Sequence, residues 1–150
     1  MTLTPGVYYF SSQAALTGTL TLDTGGDANA IFTILITSSL TTAGGSSVVV
    51  KGANTGDNLN VIWKVGSSAT LGTDTTFTGT ILAMNSVSLG TNAAVEDGRL
   101  IALTGAVTLL DNEVSVVPEP ATWMLLLGGF SALVFGMKLS RRAIAVNARR

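Results

Sequence analysis

Ile62-Trp63-Lys64-Val65-Gly66-Ser67-Ser68-Ala69-Thr70-Leu71-Gly72-Thr73-Asp74-Thr75-Thr76-Phe77 holds, in one stretch, the unit from which the fold is read. An aliphatic and aromatic run opens it, small polar residues follow, a leucine comes next, then a Gly/Thr/Asp segment, and an apolar residue closes it. Runs of the opening kind suit a pleated, half-buried surface and are strand candidates. The same opening recurs at Val7-Tyr8-Tyr9-Phe10, Ile31-Phe32-Thr33-Ile34, Ile81-Leu82-Ala83-Met84 and Leu100-Ile101-Ala102-Leu103. Turn chemistry precedes each one: Pro5-Gly6, Gly25-Gly26-Asp27, Gly56-Asp57-Asn58, Gly79 and Asp97-Gly98.

The rest of the unit repeats as well. Leu16, Leu40, Leu71, Leu89 and Leu109 form a leucine column. Small polar residues follow it: Thr17-Gly18-Thr19, Thr41-Thr42-Ala43, Gly72-Thr73-Asp74-Thr75, Gly90-Thr91-Asn92 and Leu110-Asp111-Asn112. Leu20-Thr21-Leu22, Val48-Val49-Val50, Phe77 and Val95 close most units. The spacing of roughly 18 to 30 residues lies in the range of solenoids, with the longest unit between Ile31 and Asn60. An antiparallel sandwich also has many short strands, but it gives no reason for one strand–Leu–Thr/Gly order to recur. The pattern predicts an all-β chain: a β-helix of about five irregular coils, each of about three short strands, with inward aliphatics stacked into ladders.

Composition separates this body, residues 1–117, from a tail, residues 118–150. The body has three basic residues (Lys51, Lys64, Arg99) against eight acidic ones, a net of −5; the tail has five basic residues against Glu119, a net of +4. A body so poor in cations lacks the phosphate-neutralising footprint of a nucleic-acid binder. Cysteine and histidine are both absent. That removes disulfides, thiolate metal sites, the commonest general base and the commonest metal ligand. No cofactor or metal is expected, and the chain reads as non-enzymatic.

In the tail, Val117-Pro118-Glu119-Pro120 is a stiff, extended break, since each proline fixes its own φ and restricts its predecessor. The uncharged stretch Ala121 to Met137 follows, then Lys138 and Arg141-Arg142. As a helix over about 121–138 it spans roughly 25 Å, at the short end for a bilayer core. Trp123 suits one interface and Lys138 the other, and the basic cluster sets the C-terminus in the cytoplasm with everything before Pro118 outside.

These residues resemble two known things. The tail, with Pro118, Glu119 and Pro120, an apolar span, and Arg141 and Arg142 at the extreme C-terminus, resembles a PEP-CTERM sorting signal. The resemblance implies handling by an exosortase at the membrane of a Gram-negative bacterium, with anchoring first through the C-terminal helix, then a place at the cell surface or outside the cell. The body resembles the microbial ice-binding domain, on Leu3-Thr4-Pro5-Gly6-Val7-Tyr8, Ala15 to Asp23, Ile62 to Thr73, and Gly105-Ala106-Val107-Thr108-Leu109. It implies a right-handed β-helix with a long helix packed alongside, and ice as the ligand. The resemblance reaches the C-terminal part of that domain only. Its N-terminal coils, long helix and a secretion signal have no counterpart here, so a fragment or a misplaced start is expected, with one uncapped solenoid end.

Ice binding needs a flat, stiff surface that orders water with hydroxyls and methyls and without strongly hydrated charge. Threonine supplies both groups and is stiff at χ1. Stacked coils lie about 4.7–4.9 Å apart, and same-face neighbours along a strand about 6.6 Å, a grid able to hold ordered water. The polar column after the leucines is therefore the candidate face: Thr17, Thr19, Thr41, Thr42, Thr73, Thr75, Thr91 and Asn92. Thr21, Thr78, Thr104 and Thr108 read as ordinary outward strand residues.

Other classes remain in view. Asp23, Asp27, Glu96, Asp97, Asp111 and Glu113 sit at or near turns, where Asp is a turn former, and no calcium-loop motif joins them. A polysaccharide-active enzyme needs a groove with aromatic subsites, and only Tyr8, Tyr9 and Trp63 are at hand, in runs that suit core or wall packing. The alternative to ice binding is an adhesin or matrix protein that binds extracellular polysaccharide through the same polar face.

Overall fold

A computed structural model describes residues 1–54, 57 and 59–115. The residues expected to form the membrane helix, about 121–138, and the motif residues Pro118, Glu119, Pro120, Arg141 and Arg142 lie outside the described residues. Met1–Val117 makes one compact unit. Its strands are β1 (Thr2–Leu3), β2 (Gly6–Phe10), β3 (Ala14–Leu16), β4 (Thr19–Asp23), β5 (Ile31–Ile36), β6 (Leu40–Thr42), β7 (Ser47–Lys51), β8 (Asn60–Val65), β9 (Ala69–Leu71), β10 (Thr76–Thr78), β11 (Thr80–Ala83), β12 (Val87–Leu89), β13 (Ala94–Glu96), β14 (Leu100–Ala102), β15 (Val107–Thr108) and β16 (Glu113–Val114).

The chain deals these strands in rotation to three sheets. Sheet 1 runs β1-β4-β7-β10-β13-β16, sheet 2 runs β2-β5-β8-β11-β14, and sheet 3 runs β3-β6-β9-β12-β15. Neighbours pair in parallel, so each turn of chain lies directly on the previous one. An antiparallel sandwich is thereby excluded. The described residues are all-β, without a helix. The five opening runs of the repeat are the strands of sheet 2, extended by a residue or two at some ends and stopping one residue short, before Met84 and Leu103, at two others.

Alternation along each strand sends every second side chain inside, where stacking in register makes ladders. In sheet 2 the inward ladder is Tyr8, Ile34, Trp63, Ile81 and Leu100. Sheet 1 contributes Leu20 on Val48 and Phe77 on Val95. Phe32, Phe77, Leu22, Ile34 and Leu71 are fully buried, each contributing about 1.5–3 kcal/mol by leaving water. At the centre the rings of Trp63 and Phe77 lie 4.8 Å apart and tilted. The Trp63 indole N–H donates to the Thr78 carbonyl at 3.1 Å, so its one polar atom is satisfied inside the core.

The leucine column is not in one register. Leu16 lies against Thr42, whereas Leu40 lies against Ala14 and Ala69, because Leu40 opens its strand and Leu16 closes its own. Thr42 thus takes the inward place that Leu71 and Leu89 occupy in later coils. Coils approach most closely at the corners. A side chain at Gly98 would put its Cβ 2.0 Å from the Gly79 carbonyl oxygen, which leaves room for glycine alone.

Candidate functional site

Each sheet offers an outward face, and the three differ in chemistry. On sheet 1 the column Thr19, Ser47, Thr76, Ala94 and Glu113 is polar at first but ends in charge. Glu96 and the Asp23–Lys51 ion pair, at 3.2 Å, add to it. On sheet 2 the outward column is Tyr9, Leu35, Lys64, Leu82 and Ile101, mostly apolar. On sheet 3 it is Ala15, Thr41, Thr70, Ser88 and Thr108, one from each of five strands.

The sheet 3 face carries no charge at all. Residues 11–19, 37–46, 66–73, 85–93 and 103–110, which build it and its borders, contain no Lys, Arg, Asp or Glu. Ala15, Thr41, Thr70 and Thr108 are exposed and Ser88 is half-exposed. Beneath them, Leu40, Ala69 and Val87 on one side and Leu71 and Leu89 on the other are buried, which holds the three middle strands β6, β9 and β12 flat against the core. The result is a stiff row of methyls and hydroxyls at the spacing of stacked strands.

Thr41 is the one expected site residue that falls in this row. Thr17, Thr73, Thr91 and Asn92 are exposed on the corner that leads from sheet 3 to sheet 1. There the Asp74 N–H donates to the Thr91 carbonyl at 3.0 Å, and the Gly45 N–H to the Thr73 carbonyl at 2.9 Å, so the corner is stacked coil on coil. Asp74 and Asn92 hold positive φ, 54° and 58°, and the Asn92 amide donates to the Asp74 carboxylate at 3.2 Å. Thr19 lies past the corner on β4, its hydroxyl 2.9 Å from that of Ser47.

Thr42 and Thr75 do not belong to any outer face. Both are buried, with their hydroxyls 3.0 Å apart. The slipped leucine turns Thr42 inward, and Thr75 precedes β10 on the inner side of the corner. Sequence reasoning passed over Thr70, Ser88 and Ala15, and read Thr108 as an ordinary strand residue. The signal was available in the middle coils: alternation makes the residue just before each buried leucine the outward one, as in Thr70-Leu71 and Ser88-Leu89, and Ala15 and Thr108 hold the same place before Leu16 and Leu109.

The acidic residues act locally. Asp23 accepts from the Gly25 N–H at 3.0 Å and from Lys51, and these two bonds hold its carboxyl below the ordinary value of 3.8. Asp27 accepts from the Asn29 N–H at 2.9 Å. Of the aromatics, Trp63 is core, Tyr8 is half-buried with its hydroxyl donating to the Thr4 carbonyl at 2.7 Å, and Tyr9 stands exposed on sheet 2.

A family model described as ice-binding-like matches residues 1–115. The chain belongs to this ice-binding-like family. A second model, the PEP-CTERM protein-sorting motif, matches residues 116–142. An ice-binding protein of Nostoc sp. (strain HG1) is 49% identical over a match covering 92% of this chain and 55% of the relative. Ice-binding protein 1 of Shewanella frigidimarina is 40% identical over 77% of this chain and 13% of its own length. Among solved structures, an ice-binding protein from an Antarctic biological consortium superposes with a TM-score of 0.69 at 42% identity, covering 75% of this chain and 50% of that one. The DUF3494 domain of the Shewanella protein superposes at 0.71 with 36% identity, covering 79% and 49%. This ice-binding-like chain thus spans about half the length of the Nostoc relative and of these two solved chains.

Proposed function

We propose that the chain binds ice, without catalysis, through the outer face of sheet 3. The observation that carries this reading is the charge-free column Ala15, Thr41, Thr70, Ser88 and Thr108, five strands wide. Charged groups hold their hydration too strongly to share it with a lattice, and sheets 1 and 2 both carry them. Rows about 4.8 Å apart, fixed by the stacked backbone, order water before ice is met, so little freedom remains to be lost on binding. Thr17, Thr73 and Thr91 extend the face at its corner, as far as the exposed Asp74 carboxylate that holds Asn92. The names of the relatives support ice as the ligand.

In this reading the body is a right-handed β-helix over residues 1–117 of about five coils. The tail, residues 118–150, with a helix over about 121–138, hands the chain to an exosortase and holds it at the membrane of a Gram-negative cell, with the body outside. The sorting-motif match supports export.

The test uses residues 1–117, with β-structure checked by circular dichroism. Single ice crystals are watched for faceting and a freezing gap, beside variants Thr41→Tyr and Thr70→Tyr. Faceting lost in the folded variants supports both ligand and face. Folded parent protein without any effect on ice, yet retained by extracellular polysaccharide, sinks the reading in favour of an adhesin. Faceting that survives both substitutions moves the site off sheet 3.

A further inference from the structure

The chain rounds the corner from sheet 3 to sheet 1 five times, each time through one residue of left-handed backbone. These are Gly18, Gly45, Asp74, Asn92 and Asp111, with φ of 77°, 69°, 54°, 58° and 50°. Asn and Asp are the side chains best tolerated in that conformation. The backbone thus accounts for an Asp or an Asn at position 74, but not for the charge. In the first four coils Asp74 is the one charged residue among 17–19, 43–47, 72–76 and 90–94. It is exposed, and the exposed Thr73 and Thr91 lie on the sheet 3 side of its column. On the sheet 1 side runs the column Thr19, Ser47, Thr76 and Ala94, also without charge and open to solvent in whole or in part. The other charges near this corner stand off from it. Asp23, Lys51 and Glu96 close β4, β7 and β13 at their far ends, and Asp111 and Glu113 belong to the last coil. Asp74 is on the middle coil, and a carboxylate gives up its own water only at high cost.

We propose that Asp74 sets the boundary of the ice contact, confining ordered water to sheet 3 on a corner otherwise fit to carry it onto sheet 1. The inference deepens the ice reading of sheet 3 and rests on it. Asp74→Asn removes the charge and keeps the geometry. Asparagine already holds the same left-handed backbone at Asn92. The Asn92 amide, which donates to Asp74 Oδ1 at 3.2 Å, meets an amide oxygen there instead.

The test uses the full-length protein in mild detergent. The freezing gap of single ice crystals is compared at equal concentration, in variants with unchanged circular dichroism. Asp74→Asn is expected to give a gap about twice that of the parent, since a second column of stacked strands joins the first. Thr76→Tyr, an obstacle in the middle of that second column, cancels the gain in Asp74→Asn and leaves the parent gap as it was. Asp111→Asn, on the last coil with Glu113, brings no gain. A parent gap that Asp74→Asn does not enlarge overturns the proposal alone. A gain that survives Thr76→Tyr also overturns it, as does an equal gain in Asp111→Asn, which would trace the effect to net charge. No effect on ice from parent or variant overturns the proposal together with the ice reading.

Discussion

Thr42 and Thr75 show how one residue type serves two purposes depending on the side it faces. The Gly72 N–H donates to the Thr42 hydroxyl at 2.9 Å, and the Thr75 hydroxyl donates to the Ala43 carbonyl at 3.3 Å. With the Thr75 proton so engaged, the Thr42 hydroxyl donates to Thr75, which closes a relay from one coil's amide to another's carbonyl. Thr75→Val keeps the shape but strands a buried donor, so we expect a loss of about 1–3 kcal/mol, read by urea denaturation. Thr70→Val, on the outer face, should change stability by no more than about 0.5 kcal/mol. Equal losses at the two sites would mean that the relay is not the source of the difference. The sequence made the threonines visible and left their sides ambiguous. Leu40 and Leu16 look alike in the repeat, yet they sit two places apart in register, and a slip of that kind is fixed only by pairing across coils.

Strands and corners were legible to different degrees. Sheet 2 was readable because its strands are long and rich in β-branched and aromatic residues, whereas sheet 3 strands have two or three residues each and show as little more than a leucine. In β8, Trp63 ties two sheets together through Phe77 and the Thr78 carbonyl. Trp63→Ala should therefore cost about 3–5 kcal/mol, with the near-ultraviolet circular dichroism of the core lost at lower urea. The corner after β4 responds to pH instead. The Asp23 carboxyl is held low in the folded protein, chiefly by the Gly25 N–H and then by Lys51. A depressed folded value makes its contribution fully present above the ordinary carboxylate value of 3.8 and lost as pH falls through the lowered one. Stability measured from pH 6 downward should fall less steeply at the acid end in Asp23→Asn than in the parent. The effect is small, since Lys51 is 71% exposed.

At the scale of the whole molecule, the repeat announced a solenoid and the tail announced sorting, because both are periodic or ordered along the chain. Which outer face is free of charge was not legible, since a face is built from residues about 18 to 30 apart and only their register assembles it. The assembled face makes a positional prediction. Ice contact by a rigid grid depends on an unbroken flat area, because ordered water on either side of an obstacle cannot join one lattice. Thr70 sits on the middle strand of sheet 3, with two strands on either side, while Ala15 is on the edge strand β3. Tyrosine at position 70 divides the grid into two pairs of rows; tyrosine at position 15 leaves four adjacent rows clear. Thr70→Tyr should abolish the freezing gap, and Ala15→Tyr should reduce it only in part, at equal concentration and with unchanged circular dichroism. Equal partial losses would show that the rows act separately, and an intact gap in Thr70→Tyr would remove sheet 3 from contact with ice.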